Sequence, residues 1–68
     1  MINEILVKIP EATRDRLERE LSNNFDDSVS YIHGVCAGCY DCGVIDFDEY
    51  EILYRYYSDR LYNGGNAQ

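Results

Sequence analysis

The stretch "GVIDFDEYE", residues 43 to 51, fixes a helix start more firmly than any other part of the chain. Asp46 stands as N-cap, and Glu49 three residues later completes a capping-box pattern. Asp48 and Glu49 complement the positive end of the helix. Ile45 before the cap can pack on Tyr50 as a hydrophobic staple. The helix predicted from this start covers about 47–62 and stops at "NGG", with Phe47, Tyr50, Leu53, Tyr54, Tyr57 and Leu61 as its buried stripe.

Two further helices follow from apolar spacing. Pro10 sits where a helix can begin without losing a hydrogen bond. A helix over about 10–23 aligns Leu17, Leu21 and Phe25 at four-residue steps. Its other surface offers the pairs Arg14/Glu18, Asp15/Arg19 and Arg16/Glu20, four apart and opposite in charge. "NNFDDS" ends that helix and supplies Asp27 or Ser28 as the next N-cap. Val29, Ile32, Cys36, Cys39 and Tyr40 then predict a helix over about 28–42, closed at Gly43 by a left-handed residue. Ahead of these, Ile5, Val7 and Ile9 alternate with Leu6 and Lys8, a strand pattern over 4–9.

The expected fold is therefore mostly α, a single small domain spanning 1–68. A short N-terminal strand precedes three helices, the second and third forming an antiparallel hairpin. With 68 residues, the chain can bury only a small core. This favours a homodimer, joined through the strand or a small-residue face. The chain shows no leader pattern and no apolar run near the roughly 20 residues needed to span a bilayer. Three Cys, an odd number, fit a reducing compartment, and the expected location is the cytoplasm.

The strand and first helix, "ILVKIPEATRDRLEREL", resemble the first half of a ribbon-helix-helix DNA-binding module. The resemblance implies a paired strand from each subunit in the major groove, with Glu4, Leu6 and Lys8 facing outward. Those residues and the acidic balance oppose phosphate binding, so direct nucleic-acid binding is not expected and the relationship is one of scaffold.

"HGVCAGCYDCG" places His33, Cys36, Cys39 and Cys42 at three-residue intervals. Zn fits such a donor set, and C-x2-C-x2-C resembles the start of a bacterial ferredoxin cluster motif. That motif implies a fourth Cys followed by Pro, where this chain has Asp46 and Phe47. On a helix, each three-residue step turns by about 300°, so His33 and Cys42 end on opposite sides. The reading that accounts for more residues is packing: Cys as a small hydrophobe, with Gly34, Ala37 and Gly38 admitting a neighbouring helix. A metal site at these four positions and a redox role remain the alternatives. No cofactor is expected.

Charge points to a partner. The net charge is -7, and every Lys and Arg lies outside Glu20–Tyr54. Within that stretch stand Glu20, Asp26, Asp27, Asp41, Asp46, Asp48, Glu49 and Glu51. No nucleophile or acid–base constellation accompanies them, and an enzyme is not expected. In length, charge segregation and Tyr richness, the chain resembles the small acidic inhibitors of phages and mobile elements, notably anti-CRISPR proteins. That resemblance implies binding to an effector surface that normally contacts nucleic acid. The expected function is non-enzymatic inhibition of such a protein in the host cytoplasm by blocking its basic groove. The expected binding residues are Asp41, Asp46, Asp48, Glu49 and Glu51, with Ile52 and Tyr56 as apolar anchors on the back of the third helix. A homodimeric regulatory or structural module on a ribbon-helix-helix-like scaffold, or a Cys/His metal-binding module, are the alternative functions.

Overall fold

A computed structural model describes residues 1–64, and the chain is mostly helical. Helix α1 spans Ile2–Leu6, α2 Glu11–Glu20, α3 Phe25–Asp41 and α4 Phe47–Asp59, followed by a π-helical turn, Arg60–Gly64. Gly65, the end of the expected "NGG" stop, lies outside the described residues.

The expected strand at 4–9 is absent, and no strand occurs among the described residues. Residues 2–6 are helical and 7–9 form a turn, with the Lys8 and Ile9 amides bonded to the Ile5 and Leu6 carbonyls. The alternation of Ile5, Val7 and Ile9 misleads because Val7 is 75% exposed while Ile5 and Ile9 are buried. The inward set is Ile2, Ile5, Leu6 and Ile9, which is helical spacing. A lone strand would also leave its backbone polar groups unpaired. Without a strand, the ribbon that pairs ribbon-helix-helix subunits has no counterpart here.

Helix α2 begins after Pro10, its N-cap, and buries Leu17. Helix α3 starts earlier than expected. Asn24, not Asp27 or Ser28, caps it by accepting the Asp27 amide at 3.0 Å. Phe25 therefore opens α3 instead of extending the α2 stripe, and its ring meets the Tyr62 edge at 5.1 Å. Ser28, wholly buried, donates its hydroxyl to the Glu20 carbonyl and fastens α3 to the end of α2.

The turn from α3 to α4 is specified at nearly every position. The Val44 amide bonds the Cys39 carbonyl at 2.9 Å and the Gly43 amide bonds that of Tyr40 at 3.1 Å, a Schellman closure. It requires the positive φ of 81° that Gly43 adopts. Ile45 then drops into the core, and the capping box forms in full. The Asp46 carboxylate accepts the Glu49 amide at 2.8 Å, and Glu49 accepts the Asp46 amide at 3.0 Å.

The core joins Ile5, Ile9, Leu17, Ile32, Cys36, Ile45, Leu53, Tyr57 and Leu61. Helix α4 lies at its centre, packing most extensively on α3 and also against α1. Two surface ion pairs tie distant parts of the chain to α4 and to the π-helical turn that follows it. Lys8 Nζ meets Glu49 Oε2, and Arg60 forks onto both oxygens of Glu18, with Nη2 at 2.7 Å from Oε1. Of the expected pairs within α2, only Arg16/Glu20 forms, at 2.9 Å. Glu18 goes to Arg60, and Arg14 donates to the Ile9 carbonyl at 3.2 Å.

These contacts make stability depend on pH. Arg60 holds the Glu18 carboxyl below its ordinary 4.5, Asn23 and Arg16 do so for Glu20, and Lys8 does so for Glu49. A carboxyl depressed in the folded state contributes fully above its unfolded value and loses that contribution as pH falls through its folded value. The melting temperature, followed by circular dichroism, should therefore begin to drop below about pH 5. The variant E18Q/E20Q/E49Q should flatten that slope; an unchanged slope would place the acid sensitivity elsewhere.

Candidate functional site

The structure splits the acidic stretch between two ends of α3. Asp26 and Asp27 lie in its first turn, while Asp41, Asp46, Asp48, Glu49 and Glu51 gather where α3 ends and α4 begins. A 17-residue helix separates the two groups by about 25 Å. Two of the eight acids are neutralised by bases from outside the stretch: Glu20 by Arg16, and Glu49 by Lys8. Asp46 is engaged as a cap. Asp41, Asp48 and Glu51 are exposed and take part in no ion pair among the described residues.

Four of the rings expected inside, or on the α3 stripe, instead make a surface. Phe47 is 51% and Tyr40 43% exposed, while Tyr50 and Tyr54 are half-buried. Tyr40, Phe47 and Tyr50 contact one another with all three centroid separations at 5.8 Å. Tyr50 and Tyr54 follow at 6.2 Å with planes only 14° apart, and His33 meets Tyr54 edge-on at 5.9 Å. This ladder of rings runs along the α3–α4 seam. Beside it, Tyr50, Glu51, Tyr54, Arg55 and Ser58 line an open groove of about 380 Å³. The apolar arc of α4 is too wide for so small a core: positions 53, 57 and 61 fill the interior, leaving 47, 50 and 54 at its edge. That width is the sequence signal for the ladder.

Ile52 and Tyr56, expected as exposed anchors, are half-buried and pack against the core. The Tyr56 hydroxyl accepts a bond from Arg60 Nη1 at 3.3 Å, with the guanidinium carbon 5.3 Å from its ring centre. Tyr56 thereby belongs to the clamp that holds Glu18 rather than to an open face.

The cysteine stretch is dispersed. Cys36 is fully buried, Cys39 half-buried, and Cys42 exposed with its thiol donating to the Gly38 carbonyl. Burial pushes the Cys36 thiol up to about 12. His33 is turned to Tyr54, and no group of three or more His, Cys, Asp or Glu is placed to hold a metal among the described residues. The small residues do not admit a neighbouring helix as expected, because a Cβ at Gly34 or Gly38 would meet nothing within 4 Å. Both are ordinary helical positions in open space. Gly34→Ala and Gly38→Ala should each stabilise the fold by about 0.5–1 kcal/mol, read as a raised melting temperature. A lowered value would show that this face is covered in solution.

Comparison with protein-family models, curated proteins and solved structures finds no match. No described helix is long and apolar enough to cross a membrane.

Proposed function

We propose that this protein is a non-enzymatic inhibitor, of the anti-CRISPR kind in size and charge, that binds a nucleic-acid-binding protein and occupies its basic groove in the host cytoplasm. In this reading α3 and α4 form an antiparallel hairpin whose connecting end is the binding tip. The observation that supports it is the set of carboxylates at that tip. Asp41, Asp48 and Glu51 are exposed and, among the described residues, outside any ion pair, as are Asp26 and Asp27 at the other end of α3, whereas Glu20 and Glu49 are matched by Arg16 and Lys8. Charges left free on a rigid corner can attract a basic surface over a distance and orient the encounter. Capture from host lysate at low salt tests the proposal. The captured protein should be released by salt, and nucleic acid should compete for it. Capture unaffected by salt and by nucleic acid would reject it.

A second reading, a homodimeric interaction module, is favoured by the uncovered faces of Gly34 and Gly38 on α3. Sedimentation equilibrium decides it. A single monomeric species at all concentrations removes it.

A further inference from the structure

We infer that the ring ladder at the α3–α4 tip is a docking site for arginine side chains of a basic protein partner, the guanidinium groups lying on the Tyr faces between free carboxylates. This rests on the acidic-tip reading and names the chemistry that the tip recognises. Guanidinium is the fitting cation because it is planar, weakly hydrated and stacks on aromatic faces, whereas an ammonium is a compact hydrated charge.

Three observations converge on it. First, the chain's own arginines already use this contact. The Arg16 guanidinium lies 4.9 Å from the Tyr31 ring centre, and that of Arg60 lies 5.3 Å from Tyr56 and 5.9 Å from Tyr57. Tyr40, Tyr50 and Tyr54 carry no such cation among the described residues, although Tyr40 is 43% exposed and Tyr50 and Tyr54 are half-exposed. Second, free acids stand at the same tip: Asp41, Asp48 and Glu51 are exposed and in no ion pair among the described residues, and Glu51 lines one groove with Tyr50 and Tyr54. A cation held on a ring face of that groove is therefore offered a carboxylate, which supplies the charge complementarity that an aromatic face alone lacks. Third, the Tyr50 and Tyr54 planes differ by only 14°, so a guanidinium flat on one ring is parallel to the other. The groove beside them also offers the Glu51 carboxylate and the Ser58 hydroxyl as acceptors. Arg55 lines the same groove, and its positive charge opposes a second guanidinium there. Nucleic acid, which could also stack on the rings, is opposed by the surrounding acids.

The test compares an oligo-arginine and an oligo-lysine peptide of equal length, titrated into the intact protein at low salt. The arginine peptide should bind about tenfold more tightly, and its Cδ protons should move upfield under the ring currents. Y40L/Y54L should reduce arginine binding to the lysine level while leaving lysine binding unchanged. Y40L/F47L, altering two largely exposed rings, provides the same comparison if the first variant does not fold. Arg55→Ala should tighten arginine binding further. Equal affinity for the two peptides overturns the inference and leaves the acidic-tip reading standing. Binding of neither peptide also overturns it, and the acidic tip is then judged by lysate capture alone.

Discussion

Leu53→Ala is expected to destabilise the protein by about 2–5 kcal/mol, the largest effect of any single truncation of an aliphatic side chain in this core. Leu53 is fully buried near the middle of α4, the helix that packs on α1 and α3 and leads into the π-helical turn. A cavity there faces several elements at once, so no single helix can move in to fill it. The consequence is severe because the reserve is small. A chain of this length has a total stability on the order of 3–10 kcal/mol. Thermal and urea unfolding should show a large loss, with a substantial unfolded fraction already present at 37 °C. Val7→Ala, at a position 75% exposed, serves as the comparison and should change stability by less than about 0.5 kcal/mol. If Leu53→Ala melted within a degree of the parent, the assignment of α4 as the centre of the core would be wrong.

Asp48→Lys combined with Glu51→Lys should abolish partner capture while leaving the fold intact. The double reversal changes the charge of the tip by four units and places ammonium groups where a basic surface must approach. Like charges brought together in an interface cost several kcal/mol, so a loss of at least about a hundredfold in affinity is expected. Among the described residues neither forms an ion pair, and both are exposed, so the melting temperature should move little beyond the loss of favourable helix-end charge at Asp48. Reversing Asp26 and Asp27, at the other end of α3, separates a local tip from a general field. If both pairs of reversals weaken capture equally, net charge alone is responsible and the tip has no special role.

The parts of the fold that were legible in the sequence are those set by neighbours along the chain. The Asp46–Glu49 box, the Gly43 closure and the Leu53/Tyr57/Leu61 stripe each depend on spacing within a few residues. Helix α1 was misread because its apolar residues satisfy two periods: 5, 7, 9 as a strand and 2, 5, 6, 9 as a helix. What decides between them is that Ile2 and Leu6 pack on the core while Val7 is left exposed. The start of α3 was displaced because Asn24, Asp27 and Ser28 are all competent caps, and the choice depends on burying Ser28.

For the site, the concentration of acids was legible but their division was not. Lys8 reaches Glu49 across 41 positions and Arg60 reaches Glu18 across 42, and no local pattern announces either pair. Lys8 thereby neutralises one carboxylate of the tip that its own neighbours leave unpaired, whereas Glu20 is matched locally by Arg16. The ladder was hidden for a related reason. Phe47, Tyr50 and Tyr54 lie on the apolar side of α4, and how many rings a core can cover depends on how much protein surrounds it.

The three cysteines offer a use that follows from their unequal burial. Cys36 has no exposed surface, while Cys42, at the C-terminal cap of the same helix, faces solvent. A thiol-modifying reagent should mark the exposed Cys42 first and reach Cys36 only when the core opens. The chain therefore contains its own clock and its own zero of time. The delay between the two labels, counted by mass spectrometry, measures how often the whole molecule opens, with no engineered probe added.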